Sequence, residues 1–108
     1  MPEIPFPEKI TSLPRRLVDL YDDRDIAYRL ETETVDICFA TYPAGLSNDF
    51  HTHPTDNVGV VTAGKFTLIM DDREQSFGVG DWYYVPANKT HAARIEEDTV
   101  FVEFWFKE

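Results

Sequence analysis

From residue 25 onward, apolar and polar positions alternate in short blocks that are bounded by turn formers. The stretches DIAYRLE, TVDICFATY, VGVVTA, KFTLIM, QSFGV, WYYV, HAARI and TVFVEFWF are rich in β-branched and aromatic residues, which pack well on a pleated, half-buried surface. Between them lie PAG, AGK, DDRE, GVGD, PANK and EED. These supply glycine for positive φ, proline for a fixed φ, and Asp or Asn for local side-chain hydrogen bonds. No stretch with helical spacing of useful length interrupts the series. Eight short strands at this spacing predict an all-β sandwich or barrel of the jelly-roll kind.

The first part of the chain follows other rules. Pro2, Pro5, Pro7 and Pro14 exclude a regular helix or a central strand over residues 1–14 and predict an arm that lies on a surface, its own or that of a partner subunit. The next segment, SLPRRLVDLYDD, has two readings. It is a short helix capped by Ser12 with Leu13, Leu17 and Leu20 spaced along it, or an extended segment through Val18 and Leu20. The chain contains no internal repeat and no low-complexity tract.

Composition narrows the functions. A chain of 108 residues makes one domain and buries roughly 65% of the surface its unfolded form exposes, enough for a single core. Hydrophobic content of 43% excludes a disordered chain. Twenty acidic residues against ten basic ones give a net charge of −10, which repels nucleic acid and anionic membrane surfaces, and no run of Lys or Arg offsets it locally. No apolar run approaches the ~20 residues needed to span a bilayer, and MPEIPFPEK lacks the basic start and apolar stretch of a signal peptide. The expectation is a soluble, cytoplasmic protein. Cys38, the only cysteine, excludes an internal disulfide and a cysteine-based zinc knuckle and is expected to be a small apolar strand residue.

The candidate chemistry sits on histidines. His51 and His53 are two apart, so on a strand both project to one face about 7 Å apart while Phe50 and Thr52 point away. His91 opens the block HAARI, which the turns at Gly64 and at Asp71-Asp72 can fold back over residues 51–53. Three neutral imidazoles with an open side make a workable site for one divalent transition ion. Spacing alone equally admits three ordinary exposed histidines. Glu103 interrupts VFVEFWF, and a carboxylate buried in an apolar strand costs several kcal/mol unless it is paired or protonated. It is therefore an acceptor for a ligand histidine or a general base facing the interior, or else an outward-facing interface residue paired with Arg or Lys. Asp49 shares the parity of His51 and has an orienting or a turn-capping role. Tyr42, Tyr83 and Tyr84 are expected in the core or an interface. Arg94, an odd number of residues from His91, is expected to face away from it.

These residues resemble a known family. Gly45, His51, Thr52, His53, Asn57 and Gly64 stand in the order and spacing of the first signature motif of the cupins, with Asn57 in the place of the usual glutamate. Gly80, Pro86 and His91 match the second motif, with Asn88 at its inner glycine and Ile95 where asparagine is often found. The resemblance implies a double-stranded β-helix (jelly-roll) barrel over residues 35–106, preceded by an arm and leading strands over residues 1–34, the whole forming one domain and often a homodimer. It also implies one divalent transition ion, which is iron, zinc, nickel, manganese or copper, held inside the barrel mouth by His51, His53 and His91.

Asn57 is a neutral metal ligand or lines the site beside the metal; alternatively it is a hydrogen-bonding wall residue without a catalytic part. A site without the carboxylate keeps close to the full charge of the ion. Two functions follow. One is a metal-dependent enzyme on a small oxygenated molecule, a dioxygenase or a lyase or isomerase, with Glu103 and Asn57 as its candidate catalytic residues. The other is a non-catalytic small-molecule-binding or sensing cupin.

Overall fold

Eight strands form where the alternating blocks predict them in the computed structural model, which describes residues 6–15 and 26–107. They are β1 (Ile26–Glu31), β2 (Val35–Tyr42), β3 (Asn57–Ala63), β4 (Lys65–Met70), β5 (Arg73–Gly78), β6 (Trp82–Val85), β7 (His91–Ile95) and β8 (Thr99–Phe106). All pairings are antiparallel. A five-stranded sheet of order β1-β2-β8-β3-β6 faces a three-stranded sheet of order β5-β4-β7.

Two turns show how local sequence closes the hairpins. Asp71 and Asp72 join β4 to β5 with φ of 56° and 59°, the left-handed pair that a two-residue hairpin needs and that Asp tolerates better than most residues. Gly64 joins β3 to β4 at φ 81°. A side chain there would collide with the Asp98 carbonyl and with Thr99, so the position requires glycine on both grounds.

Inward-facing residues of the two sheets meet in one core. Phe66 is its centre, with ring centroids 5.5 Å from Phe77, 5.2 Å from Tyr83 and 4.7 Å from Phe101. Along the β4–β7 pair the register runs from Phe66 opposite Ile95 to Met70 opposite His91. One end of the barrel is therefore filled with rings, and the histidines lie at the other.

The arm departs from expectation in one respect. A short helix α1 (Glu8–Thr11) forms between Pro7 and Pro14, where regular helix was excluded. One turn fits because it needs few internal bonds. The Pro7 carbonyl accepts from Ile10 N at 2.9 Å and Thr11 N at 3.1 Å, and no proline has to donate. Ser12 closes the C-terminus of this helix, with both its N–H and its hydroxyl donating to the Glu8 carbonyl, rather than opening a following one. Most of SLPRRLVDLYDD lies outside the described residues. The arm does lie on a surface of its own chain: Phe6 packs edge-on against Phe39 at 5.8 Å, and Pro7 and Ile10 face Val100 and Val102 on the outer side of the large sheet. Among the described residues no helix is long and apolar enough to cross a membrane.

Candidate metal centre

His51 and His53 do not lie on a strand. His51 forms a single antiparallel bridge with His91, the two exchanging N–H···O bonds of 2.9 and 3.0 Å, and His53 sits in irregular chain beyond it. Pro54 has no N–H to continue a ladder, which is reason enough for the pairing to stop. The rings nevertheless converge, with centroids 4.6 Å apart for His51 and His53, 4.3 Å for His51 and His91, and 5.0 Å for His53 and His91. A second contact holds His53 in place: its carbonyl accepts from Asn88 N at 2.6 Å. Asn88 has φ 64°, so the residue at the inner glycine of the second motif adopts the conformation a glycine would, and asparagine tolerates it.

Hydrogen bonds decide which ring nitrogens face inward. His51 Nδ1 lies 2.8 Å from the Asp49 carbonyl and His91 Nδ1 2.8 Å from the Lys89 carbonyl. A carbonyl only accepts, so both Nδ1 atoms carry the hydrogen, and in the neutral rings both Nε2 atoms hold a lone pair. Burial pushes His91 below its ordinary pKa and the nearby His51 adds to this, against the opposing effect of the Lys89 carbonyl bond. Its neutral form, the one that coordinates metal, is favoured. The nitrogens offered by the three histidines lie within 4.8 Å of one another, and the Nε2 atoms of His51 and His53 are 3.0 Å apart. Two nitrogens about 2.1 Å from one ion and at right angles across it are about 3.0 Å apart, so the donors fit a mononuclear transition-metal site.

Behind the histidines lies a cavity of about 70 Å³, lined also by Asn57, Glu103, Tyr42, Tyr83 and Trp105. Glu103 is 6% exposed and faces inward, not toward an outer interface. Two tyrosine hydroxyls are among its partners: Tyr42 Oη donates to Oε1 at 3.4 Å and Tyr83 Oη to Oε2 at 3.3 Å. Gly59 stands opposite both Glu103 and Tyr83, and a side chain there would occupy the space of the Tyr83 ring, so the glycine lets that hydroxyl reach the carboxylate. Asn57 is 5% exposed, and its Nδ2 donates to the Phe104 carbonyl at 3.4 Å.

The remaining candidates separate. Asp49 orients His51 through its backbone carbonyl, not through its carboxylate. Tyr42 and Tyr83 line the cavity, whereas Tyr84 is 52% exposed on the opposite face of β6. Arg94 faces away from His91 and pairs with Glu74 at 2.9 Å. Among the lining residues not singled out in the sequence are Trp105 and Asn48. Trp105 packs edge-on against His53 at 4.7 Å, and it shares the parity of Glu103, which was the available signal. Asn48 accepts from Ala93 N at 2.7 Å through its side chain, and nothing in its turn-like context marks it.

Residues 38–106 match the sequence pattern of the cupin domain. No curated protein matches the chain by sequence. Among solved structures, the chain superposes on an RmlC-like cupin from Shewanella frigidimarina with a TM-score of 0.77 at 16% identity, over 100% of this chain and 93% of that one. The polyketide cyclase RemF from Streptomyces resistomycificus gives 0.75 at 16% identity, over 92% and 77%. The DMSP lyase DddQ from Ruegeria pomeroyi gives 0.76 at 23% identity over 91% of this chain, which spans 58% of the lyase.

Proposed function

The chain belongs to the cupin family, and from that premise we propose that it is a metal-dependent lyase or isomerase acting on a small oxygenated molecule. The observation that carries this reading is one cavity shared by three convergent imidazoles and by a buried carboxylate with two tyrosine donors. In it, His51, His53 and His91 hold the ion, and Asn57, whose Nδ2 is donated to Phe104, offers its amide oxygen as a neutral further ligand or hydrogen-bond acceptor. A divalent ion there supplies Lewis acidity to a carbonyl or hydroxyl oxygen, undiminished by an anionic protein ligand. Glu103 accepts the proton released from the adjacent carbon. Tyr42 and Tyr83 steady the carboxylate from both oxygens and place a hydroxyl where that proton can be returned. The apolar rings of Phe66 and Phe101 keep bulk water from the cavity floor. The similar folds include a polyketide cyclase and a DMSP lyase.

The test is solvent deuterium exchange. The ion-loaded protein, given small hydroxy and oxo compounds in D2O, is expected to place deuterium on the carbon next to the oxygenated one, as read by NMR, and to lose this on chelation. Consumption of dioxygen without exchange would assign a dioxygenase instead. Ligand binding with neither reaction would assign a binding or sensing protein.

We also propose a homodimer formed through the outer face of the five-stranded sheet. Leu30, Ile37, Phe104, Val58 and Tyr84 stand opposite one another in a single row across all five strands. Trp82 stacks on Phe104 at 6.2 Å, and Trp82 and Tyr84 are 60% and 52% exposed. Continuous apolar surface of this kind favours association. Light scattering is expected to give about twice the 12.5 kDa chain mass, falling to one chain in Tyr84→Lys. A single-chain mass for the wild type across micromolar concentrations would contradict the dimer.

A further inference from the structure

β5 is an edge strand of the small sheet, and its first residue, Arg73, is exposed at the rim but shares the parity of the buried, inward-facing Phe77. Arg73 stands opposite Met70, Met70 opposite His91, and His91 opposite His51. Directly opposed residues of an antiparallel pair share a face, so these four side chains form one row across the barrel mouth. Arg73, Gln75, Met70, Leu68 and Asp71 line a cavity of about 130 Å³, and the Asp71 carboxylate there is neutralised by Lys89. Leu68 also lines the histidine cavity, so the two spaces adjoin at that residue. With strands about 4.8 Å apart, the Arg73 backbone lies about 10 Å from that of His91, a span that an extended guanidinium and a ligand of a few carbon atoms cover together.

Charge makes this arginine unusual in its setting. The chain carries twenty acidic residues and a net charge of −10. Its other described arginines are engaged: Arg29 with Asp36 at 2.8 Å, Arg94 with Glu74 at 2.9 Å, and Arg15 over the Tyr28 ring at 5.8 Å. Even Lys89, near the same rim, is paired with Asp71. Arg73 forms no ion pair among the described residues. Its guanidinium fork matches a carboxylate in a bidentate manner, and Leu68 and Met70 beside it suit a short apolar stem. The strongly negative chain disfavours a more highly charged phosphate.

We propose that Arg73 sets the specificity of the site by binding the carboxylate of a small oxo or hydroxy acid whose other oxygen lies at the histidines. This rests on the metal-dependent reading above. The probes are 4-oxopentanoate and 5-oxohexanoate, each compared with its own methyl ester, titrated by calorimetry into zinc-loaded and metal-free protein. Wild type is expected to bind at least one acid about tenfold more tightly than its ester, a modest factor because Arg73 is partly in solvent. Arg73→Gln is expected to bind acid and ester alike while retaining its zinc.

An unchanged preference in Arg73→Gln would overturn the proposal, as would equal or no binding of acid and ester by wild type. Tighter Arg73-dependent binding of inorganic phosphate would overturn the carboxylate assignment. Zinc content, measured separately by emission spectrometry, keeps the two readings distinguishable. A wild type without zinc defeats the metal reading, and the acid-over-ester preference of the metal-free protein then decides the role of Arg73.

Discussion

His91→Ala is expected to leave the barrel folded and to reduce bound divalent ion from one per chain to a small fraction. The backbone of His91 pairs with Met70 on one side and His51 on the other, and neither pairing needs the imidazole. The ring supplies one of three nitrogens that converge within 4.8 Å, and its Nδ1 is already committed to the Lys89 carbonyl. Loss of a partner that merely orients a ligand lowers metal affinity about 10–100-fold, and loss of the ligand itself should exceed that. Emission spectrometry after gel filtration measures the stoichiometry. Thermal unfolding gives an independent readout, since an ion at one hundred times its Kd stabilises the native state by about 2.7 kcal/mol, and His91→Ala should lose most of that gain. Full retention of ion in both His51→Ala and His91→Ala would remove the three-histidine assignment.

Glu103→Gln is expected to bind the ion as wild type does and to lose turnover by about 10²- to 10⁴-fold, the usual contribution of a positioned acid or base. The amide keeps the shape of the carboxylate, with an oxygen to accept from one tyrosine and an NH2 to donate to the other, so the Tyr42 and Tyr83 contacts at 3.4 and 3.3 Å can persist. What the variant lacks is a group that takes up a proton. Deuterium exchange read beside metal content separates the two roles. Unchanged exchange in Glu103→Gln would show that the carboxylate only braces the tyrosines, and Tyr83→Phe would then identify which hydroxyl moves the proton.

Strand positions were the most legible feature because alternation is local. In β8 the residues Phe101, Glu103 and Trp105 share one face and Val102 and Phe104 the other, and the period of two separates cavity lining from outer surface without further information. The same rule placed Arg94 away from His91. It misplaced His51 and His53, which converge although their segment is not a strand, because what joins them to His91 is one bridge and the bond from Asn88 to the His53 carbonyl. The helix between Pro7 and Pro14 was likewise hidden, since one turn held by a single carbonyl leaves almost no periodic trace.

By itself the sequence determined an all-β chain of eight strands, the three histidines as the candidate ion site, and Glu103 as a carboxylate in need of a partner. The strands and the need of Glu103 for a partner follow from local alternation and composition, whereas the histidines were singled out as an ion site by the resemblance of both motifs to those of the cupins. Only the tertiary structure decided which partners those groups have. It turned Glu103 toward two tyrosines from β2 and β6, assigned the orientation of His51 and His91 to the backbone carbonyls of Asp49 and Lys89, and brought Arg73 into one row with the histidines. Contacts between residues 20 to 61 positions apart, such as those of Tyr83 and Tyr42 with Glu103, depend on strand order and register. Those are set by the packing of two whole sheets against each other, which no local pattern encodes.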